Sequence, residues 1–193
     1  MRSVSSLLAP GLLVAAPSLR CPFFNHTLVL MVDHTERGSF GFVVNRPAEV
    51  EIGQVFRELG FDGKGTSEPP DARVMLGGPV EPQTGWVLYH TPPDAGVVFD
   101  ELKVTDGLRM SASVEILEAL ASGEGPEQSL MMLGYSGWSP GQLESEMREG
   151  AWFPVDLDLA LLFEVPLEER WREALASLGI DPARVAANTV ASA

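Results

Sequence analysis

Histidine is the side chain best suited to metal binding and to proton transfer near neutral pH, and this chain has three: His26, His34 and His90. His26 and His34 lie eight residues apart across a stretch that reads as a strand, which at roughly 3.3 Å per residue separates them by about 26 Å, too far to share an ion. No HxH, HxxxH or CxxC spacing occurs, so the sequence predicts neither a metal nor another cofactor. His34 and His90 could meet only through tertiary folding. His90 follows Tyr89 at a strand end and precedes Thr91-Pro92, which makes it the better candidate for a site; the alternative is an imidazole tied to a neighbouring loop carbonyl.

Nucleophilic chemistry has little support. Ser136, in Gly134-Tyr135-Ser136-Gly137, misses the GxSxG elbow by one position. Cys21 precedes Pro22 in an apolar setting that would raise a buried thiol's pKa and leave it inert. Gly77-Gly78-Pro79 could turn backbone amides toward an anion, but it lacks the length and lysine of a P-loop, and a tight turn explains it equally well. Glu144 and Glu146 point in different directions on a helix, so they are no acid/base pair; Glu144 is instead spaced to pair with Arg148. Asn45-Arg46-Pro47 puts a fork-shaped cation at a strand end, where loops collect binding functions. Arg46 could equally pair with a carboxylate.

These groups need strands and turns to hold them. Thr27 to Val32 and Ser39 to Asn45 are rich in branched and aromatic residues and flank Glu36-Arg37-Gly38, a hairpin pattern that Arg46-Pro47 ends. A helix is expected from about Ile52 to Leu59, closed by Gly60, then a polar surface loop from Asp62 to Asp71. Val74 to Leu76 and Gly85 to His90 bracket Gly77-Gly78-Pro79, and a further extended piece falls within Val97 to Thr105. A helix from about Ser113 to Ala121 presents Val114, Leu117 and Leu120 on one face and closes at Gly123; the apolar run Ser129 to Tyr135 is a buried strand.

The segment from Leu133 to Trp152 joins that strand to a helix with its own start and stop signals. Ser139 is placed as N-cap, Pro140 as first helical residue, Gln142 as partner in a capping box and Gly150 as the stop. Tyr135, Trp138 and Trp152 around it could wall a site or fill a core. Leu157 to Val165 is ambiguous in period. The final helix, Leu167 to Leu178, turns Trp171, Ala174, Leu175 and Leu178 inward and stops at Gly179, leaving a frayed tail from Ala186 to Ala193. Strands and helices alternate irregularly, so the class is α+β with a mostly antiparallel, bent sheet.

The 193 residues, 45% hydrophobic, suit a single domain spanning 1–193. The net charge of -14 repels phosphate backbones, and no helix-turn-helix, basic stripe or zinc-finger spacing is present, so direct nucleic-acid binding is not expected. One cysteine permits no intrachain disulfide, and no apolar run reaches the roughly 18 residues of a membrane span.

A collinear set of short motifs covers nearly the whole chain: Leu13 to Pro17 with Phe24, Asp33-His34, Gly41 to Pro47, Gly77 to Val80, His90-Thr91-Pro92, Leu133 to Trp138, Gly141 to Glu144, Trp152 and Arg170-Trp171. In these residues the chain resembles the AlgH/YqgE family of bacterial proteins, some of which carry a transcriptional-regulator label. The resemblance implies a small closed or bifurcated β-barrel surrounded by helices. It also places Gly11 to Ala16 in the first core strand, which with the interruption at Pro10-Gly11 argues against reading Arg2 and the run Leu7 to Ala16 as a signal peptide and favours the cytoplasm. Cys21 stands where relatives often have an acidic residue, and Val155 lies where some carry a cysteine, so no thiol-redox role transfers. The expected function is non-catalytic binding or regulation through an unknown protein partner or small ligand, with a site near Asn45, Arg46, Gly77, Gly78, His90, Tyr135 and Trp138. The rival is an enzyme using His90 or His34 as acid/base. Architecture alone would also explain the shared turns.

Overall fold

The computed structural model describes residues 8–61, 73–92 and 99–183. The expected Asp62 to Asp71 loop, the Ala186 to Ala193 tail and the Val97-Val98 start of the extended piece expected within Val97 to Thr105 lie outside them. In chain order the described elements are β1 (Gly11–Ala15), β2 (Leu28–Thr35), β3 (Gly38–Val43), β4 (Pro47–Glu51), α1 (Ile52–Glu58), β5 (Arg73–Leu76), β6 (Val80–His90), β7 (Glu101–Lys103), β8 (Leu108–Ser111), α2 (Val114–Ser122), β9 (Ser129–Trp138), α3 (Gln142–Arg148), β10 (Trp152–Val155), α4 (Leu159–Phe163) and α5 (Arg170–Ser177). The class is α+β, and every strand pair given by register is antiparallel except β5 with β9.

The chain forms two compact units: one from the segments Met1–Arg46, Gly77–Val80 and Tyr135–Ala193, the other from Pro47–Leu76 and Glu81–Gly134. In the first, β10, β1, β2 and β3 pair in that order, and β3 then pairs with the end of β9. The expected hairpin is β2–β3. Its turn ends on Gly38, whose φ of 128° is open to glycine, and a bulge between Met31 and Asp33 re-aims the strand before His34. The strands are apolar on both faces because both are buried: Leu13, Ala15, Val29, Met31 and Val43 pack with Trp138, Leu143 and Trp152 on one, and Leu12, Val14, Leu28, Leu30 and Phe42 are at most 1% exposed on the other. Each such side chain removed from water contributes roughly 1.5–3 kcal/mol.

The second unit has its own core, in which Ile52 and Phe56 of α1, Val74, Val87, Tyr89, Ile116, Leu120 and Met131 meet. Here β4 pairs with β5, β5 runs parallel to the start of β9, and β6, β8 and β7 form an antiparallel set. Gly77-Gly78-Pro79 therefore does not close a hairpin: β5 finds its partners in β4 and β9.

The hairpin ends before Arg46-Pro47 as expected, and Pro47 begins a new strand, β4, that pairs with β5. Three expectations at element scale need correction. In α2 the buried residues are Ile116, Leu120 and Ala121, with Val114 56% exposed, because Val114 is the first helical residue and the face toward the core begins two positions later. Leu178 follows α5 as its C-cap and is 40% exposed, not inward. The helix after Trp138 starts at Gln142, with Gly141 as N-cap in the left-handed region, and Ser139 makes no side-chain cap. Only the reciprocal half of the capping box is formed, the Ser139 N–H donating to Gln142 Oε1 at 3.0 Å.

Candidate functional site

Six of the sequence-chosen residues belong to the first unit, and most are occupied in holding backbone. Asn45 Oδ1 accepts from the Leu28 N–H at 2.8 Å, and its amide donates to the His26 carbonyl at 3.0 Å. Arg46 does not pair with a carboxylate. Its guanidinium donates to Pro22 O at 3.0 Å and to Asn25 O and Oδ1 at 3.2 and 2.9 Å, and it lies 5.5 Å from the centre of the Phe23 ring. The two side chains thus fasten the turn between β1 and β2, where His26 takes a positive φ of 54° and its ring centre lies 4.3 Å from that of Trp171, the planes at 80°.

Gly77 and Gly78 meet the β9 segment Tyr135-Ser136. The Gly77 carbonyl accepts from the Val43 N–H at 2.8 Å and from the buried Ser136 hydroxyl at 3.0 Å, which assigns Ser136 a structural bond in place of a nucleophile's exposure. A Cβ on Gly78 would fall 1.9 Å from the Tyr135 carbonyl carbon, 2.0 Å from its oxygen and 2.3 Å from the Ser136 nitrogen. This approach explains the glycine without any anion.

Trp138 is core. Its indole N–H donates to Glu146 Oε2 at 2.9 Å, and the Trp152 indole donates to the same oxygen at 2.8 Å, while Gln142 holds Oε1 at 2.9 Å. Phe24 stacks on Trp138 at 5.9 Å. Tyr135 is half-buried against Phe40 at 6.2 Å, and with Trp138, Asp33, Arg37 and Ser139 it lines an open groove of about 990 Å³.

His34 is buried, with Nδ1 2.6 Å from Ser39 Oγ and Nε2 3.7 Å from Glu144 Oε1. Glu144 is therefore the neighbour of His34 and not the ion-pair partner of Arg148. Sequence reasoning missed two further anchors. Glu146 was legible only from the need of two nearby indoles for an acceptor. Arg170, 4% exposed, donates to Val44 O at 2.7 Å and Val165 O at 2.9 Å. Burial lowers its pKa to about 10, which leaves it charged at neutral pH; an arginine on an otherwise apolar helix face beside Trp171 was the available signal.

His90 belongs to the second unit, at the end of β6. Its backbone N–H donates to Gln128 O at 3.0 Å, yet among the described residues its ring has no hydrogen-bond partner. The ring instead lines a cavity of about 510 Å³, with Tyr89, Phe99, Glu101, Glu124 and Glu127 among the other walls. Gly107 packs below, where a Cβ would come within 3.4 Å of Nε2. Next to His90, the Tyr89 hydroxyl donates to one oxygen of Glu101 and Arg109 ion-pairs with the other. Burial, then the hydrogen bond to the Glu101 carboxylate, raises the Tyr89 pKa well above its ordinary value, so Tyr89 stays a donor. Among the described residues no group of three or more His, Cys, Asp or Glu side chains could hold a metal ion, and no helix is long and apolar enough to cross a membrane.

Comparison with known proteins accounts for the shared motifs. The AlgH-like family pattern matches residues 12–183. A UPF0301 protein from Anaeromyxobacter dehalogenans is 44% identical over 185 residues, covering 91% of this chain and 90% of its own, and one from Paraburkholderia phytofirmans is 42% identical over 170 residues, covering 88% and 87%. The solution structure of the AlgH protein from Pseudomonas aeruginosa is 36% identical, superposes with a TM-score of 0.74 and covers 97% of both chains. A Corynebacterium diphtheriae protein at 22% identity shares the fold, with a TM-score of 0.69 and coverage of 87% and 85%. With the pattern running from β1 to the residues after α5, the chain belongs to the AlgH-like family.

Proposed function

We propose that this protein is a non-catalytic binding or regulatory protein whose small ligand enters the cavity at His90. One observation carries the reading. Asn45, Arg46, Gly77, Gly78 and Trp138 are engaged in backbone or core contacts, whereas the His90 imidazole stands in a concavity with no hydrogen-bond partner among the described residues. Pockets that bind small molecules combine apolar walls with a few placed polar groups. This one has Tyr89, Phe99, Pro92 and Pro126 beside His90 and Gln128. His34, by contrast, is buried against Ser39 and Glu144, a setting that favours a packed histidine over an acid/base that meets substrate.

Native mass spectrometry of the purified protein, before and after incubation with a cell metabolite extract, tests the proposal. The expected result is a discrete small-molecule adduct that is lost in Gln128→Trp, which fills the cavity from its wall. An adduct retained in that variant, or no adduct under any condition, would remove His90's cavity as the ligand site.

A further inference from the structure

We infer that the ligand of the His90 cavity is an organic cation with an apolar body, an ammonium or guanidinium group carried on an aromatic or aliphatic stem. This rests on the reading of the cavity as a binding site and names its chemistry. The carboxylates alone would mark only a solvated rim. What gives the space selectivity is the combination of that rim with an acceptor and an aromatic wall in one enclosure.

The lining residues include three carboxylates, Glu101, Glu124 and Glu127, and no lysine or arginine. Glu101 is not available to a ligand, since Tyr89 and Arg109 occupy its two oxygens and Arg109 balances its charge. Glu124 and Glu127 are exposed and have no ion-pair partner among the described residues, so their charge faces whatever enters. The His90 ring, which has no hydrogen-bond partner among the described residues, adds a further polar group to the same wall. The half-buried Phe99 ring lines the same space, its centre 6.0 Å from that of the buried Tyr89 ring. Aromatic faces attract cations, and carboxylates placed beyond them add to that attraction. An anion would meet two unpaired carboxylates at the mouth, in a protein of net charge -14. A bare metal ion lacks a third ligand, since no group of three or more ligating side chains exists among the described residues. An organic cation that buries its stem on Phe99 and Pro126 and gives its N–H groups to His90 and the rim carboxylates uses every feature.

The test titrates phenethylamine, 2-phenylethanol and 3-phenylpropionate, three probes of similar shape and different charge, into the full chain, with the His90 and Phe99 ring resonances and calorimetry as readouts. Acetyl-Phe-Lys-amide, added as a fourth probe, separates a free amine from a lysine presented by a peptide. The expected result is saturable perturbation of both rings by phenethylamine or by the peptide, with affinity falling about fivefold in Glu124→Gln/Glu127→Gln, a loss consistent with two exposed charges. The melting temperature of that variant should match the wild type, since neither carboxylate holds the fold. If the alcohol or the propionate binds at His90 as tightly as the amine, or the double variant binds phenethylamine unchanged, the cation assignment fails while the binding reading stands. If no probe perturbs the His90 ring, the cation assignment fails too, and the mass-spectrometric adduct alone decides the binding reading.

Discussion

At Gly78 the chain passes closer to a neighbouring backbone than any side chain allows, and the cost of violating that is large because backbone cannot rotate away. With a Cβ only 1.9–2.3 Å from Tyr135 and Ser136 main-chain atoms, Gly78→Ala must push two segments apart; we expect a loss of about 3 kcal/mol or more in denaturant unfolding. Gly150→Ala is the control. It has a positive φ of 76° and nothing within 4 Å, so only the left-handed conformation is penalised, at about 1–2 kcal/mol. Equal losses at the two positions would show that the Tyr135-Ser136 backbone gives way cheaply and that Gly78 is not kept for clearance. At Glu146 the issue is charge: one carboxylate oxygen accepts from both Trp138 and Trp152. Glu146→Gln keeps the shape but weakens both bonds, and should lower stability by roughly 1.5–3 kcal/mol while changing tryptophan fluorescence. An unchanged midpoint would mean the indoles are satisfied without it. The sequence ranked His90 above His34 because of its place at a strand end; in the fold His90 lines a cavity, whereas His34 is buried. It could not show that Asn45 and Arg46 point back at residues 22–28, since that contact spans about twenty positions and leaves no local spacing to read.

The helix α3 shows how a start signal can be present and yet belong to the turn before the helix. Ser139, Pro140 and Gln142 form a good capping pattern, but the helix begins at Gln142 behind Gly141 at φ 76°. Ser139→Ala should therefore be nearly neutral, within about 0.5 kcal/mol, whereas Gly141→Ala should cost about 1–2 kcal/mol by forcing a side chain into the left-handed region. Circular dichroism melts of the two variants would check this; a larger loss at Ser139 would restore it as the cap. The same contrast sorts the other elements. The β2–β3 hairpin, α1, α2 and the long apolar β9 were legible because their periodicity and glycine stops are local. The short strands β4, β8 and β10 were not, since four or five residues carry too little pattern, and β10 also has its partner far along the chain: Leu12 of β1 faces Val155 of β10. The parallel pairing of β5 with β9 was equally hidden, because Met75 and Met132 lie more than fifty positions apart and no local spacing links them.

For the whole molecule the electrostatic argument is about what the surface repels. Duplex DNA is bound mainly by neutralising phosphates, each contact adding close to one unit to the slope of log affinity against log salt, and this chain carries 13 basic residues against 27 acidic ones. Part of that small basic complement is already committed: Arg46 and Arg170 to backbone carbonyls, Arg109 to Glu101, and Lys103 to Asp106 at 2.6 Å. Fluorescence anisotropy with labelled duplexes at about 0.15 M salt should show association no tighter than the micromolar range typical of nonspecific binding, and it should vanish as salt rises. The informative comparison is between unrelated duplexes and a genomic pool enriched over several rounds of selection on the protein. Enrichment of one sequence with saturable nanomolar binding at that salt would overturn the expectation and require a basic surface formed by another chain or by residues beyond the described ones.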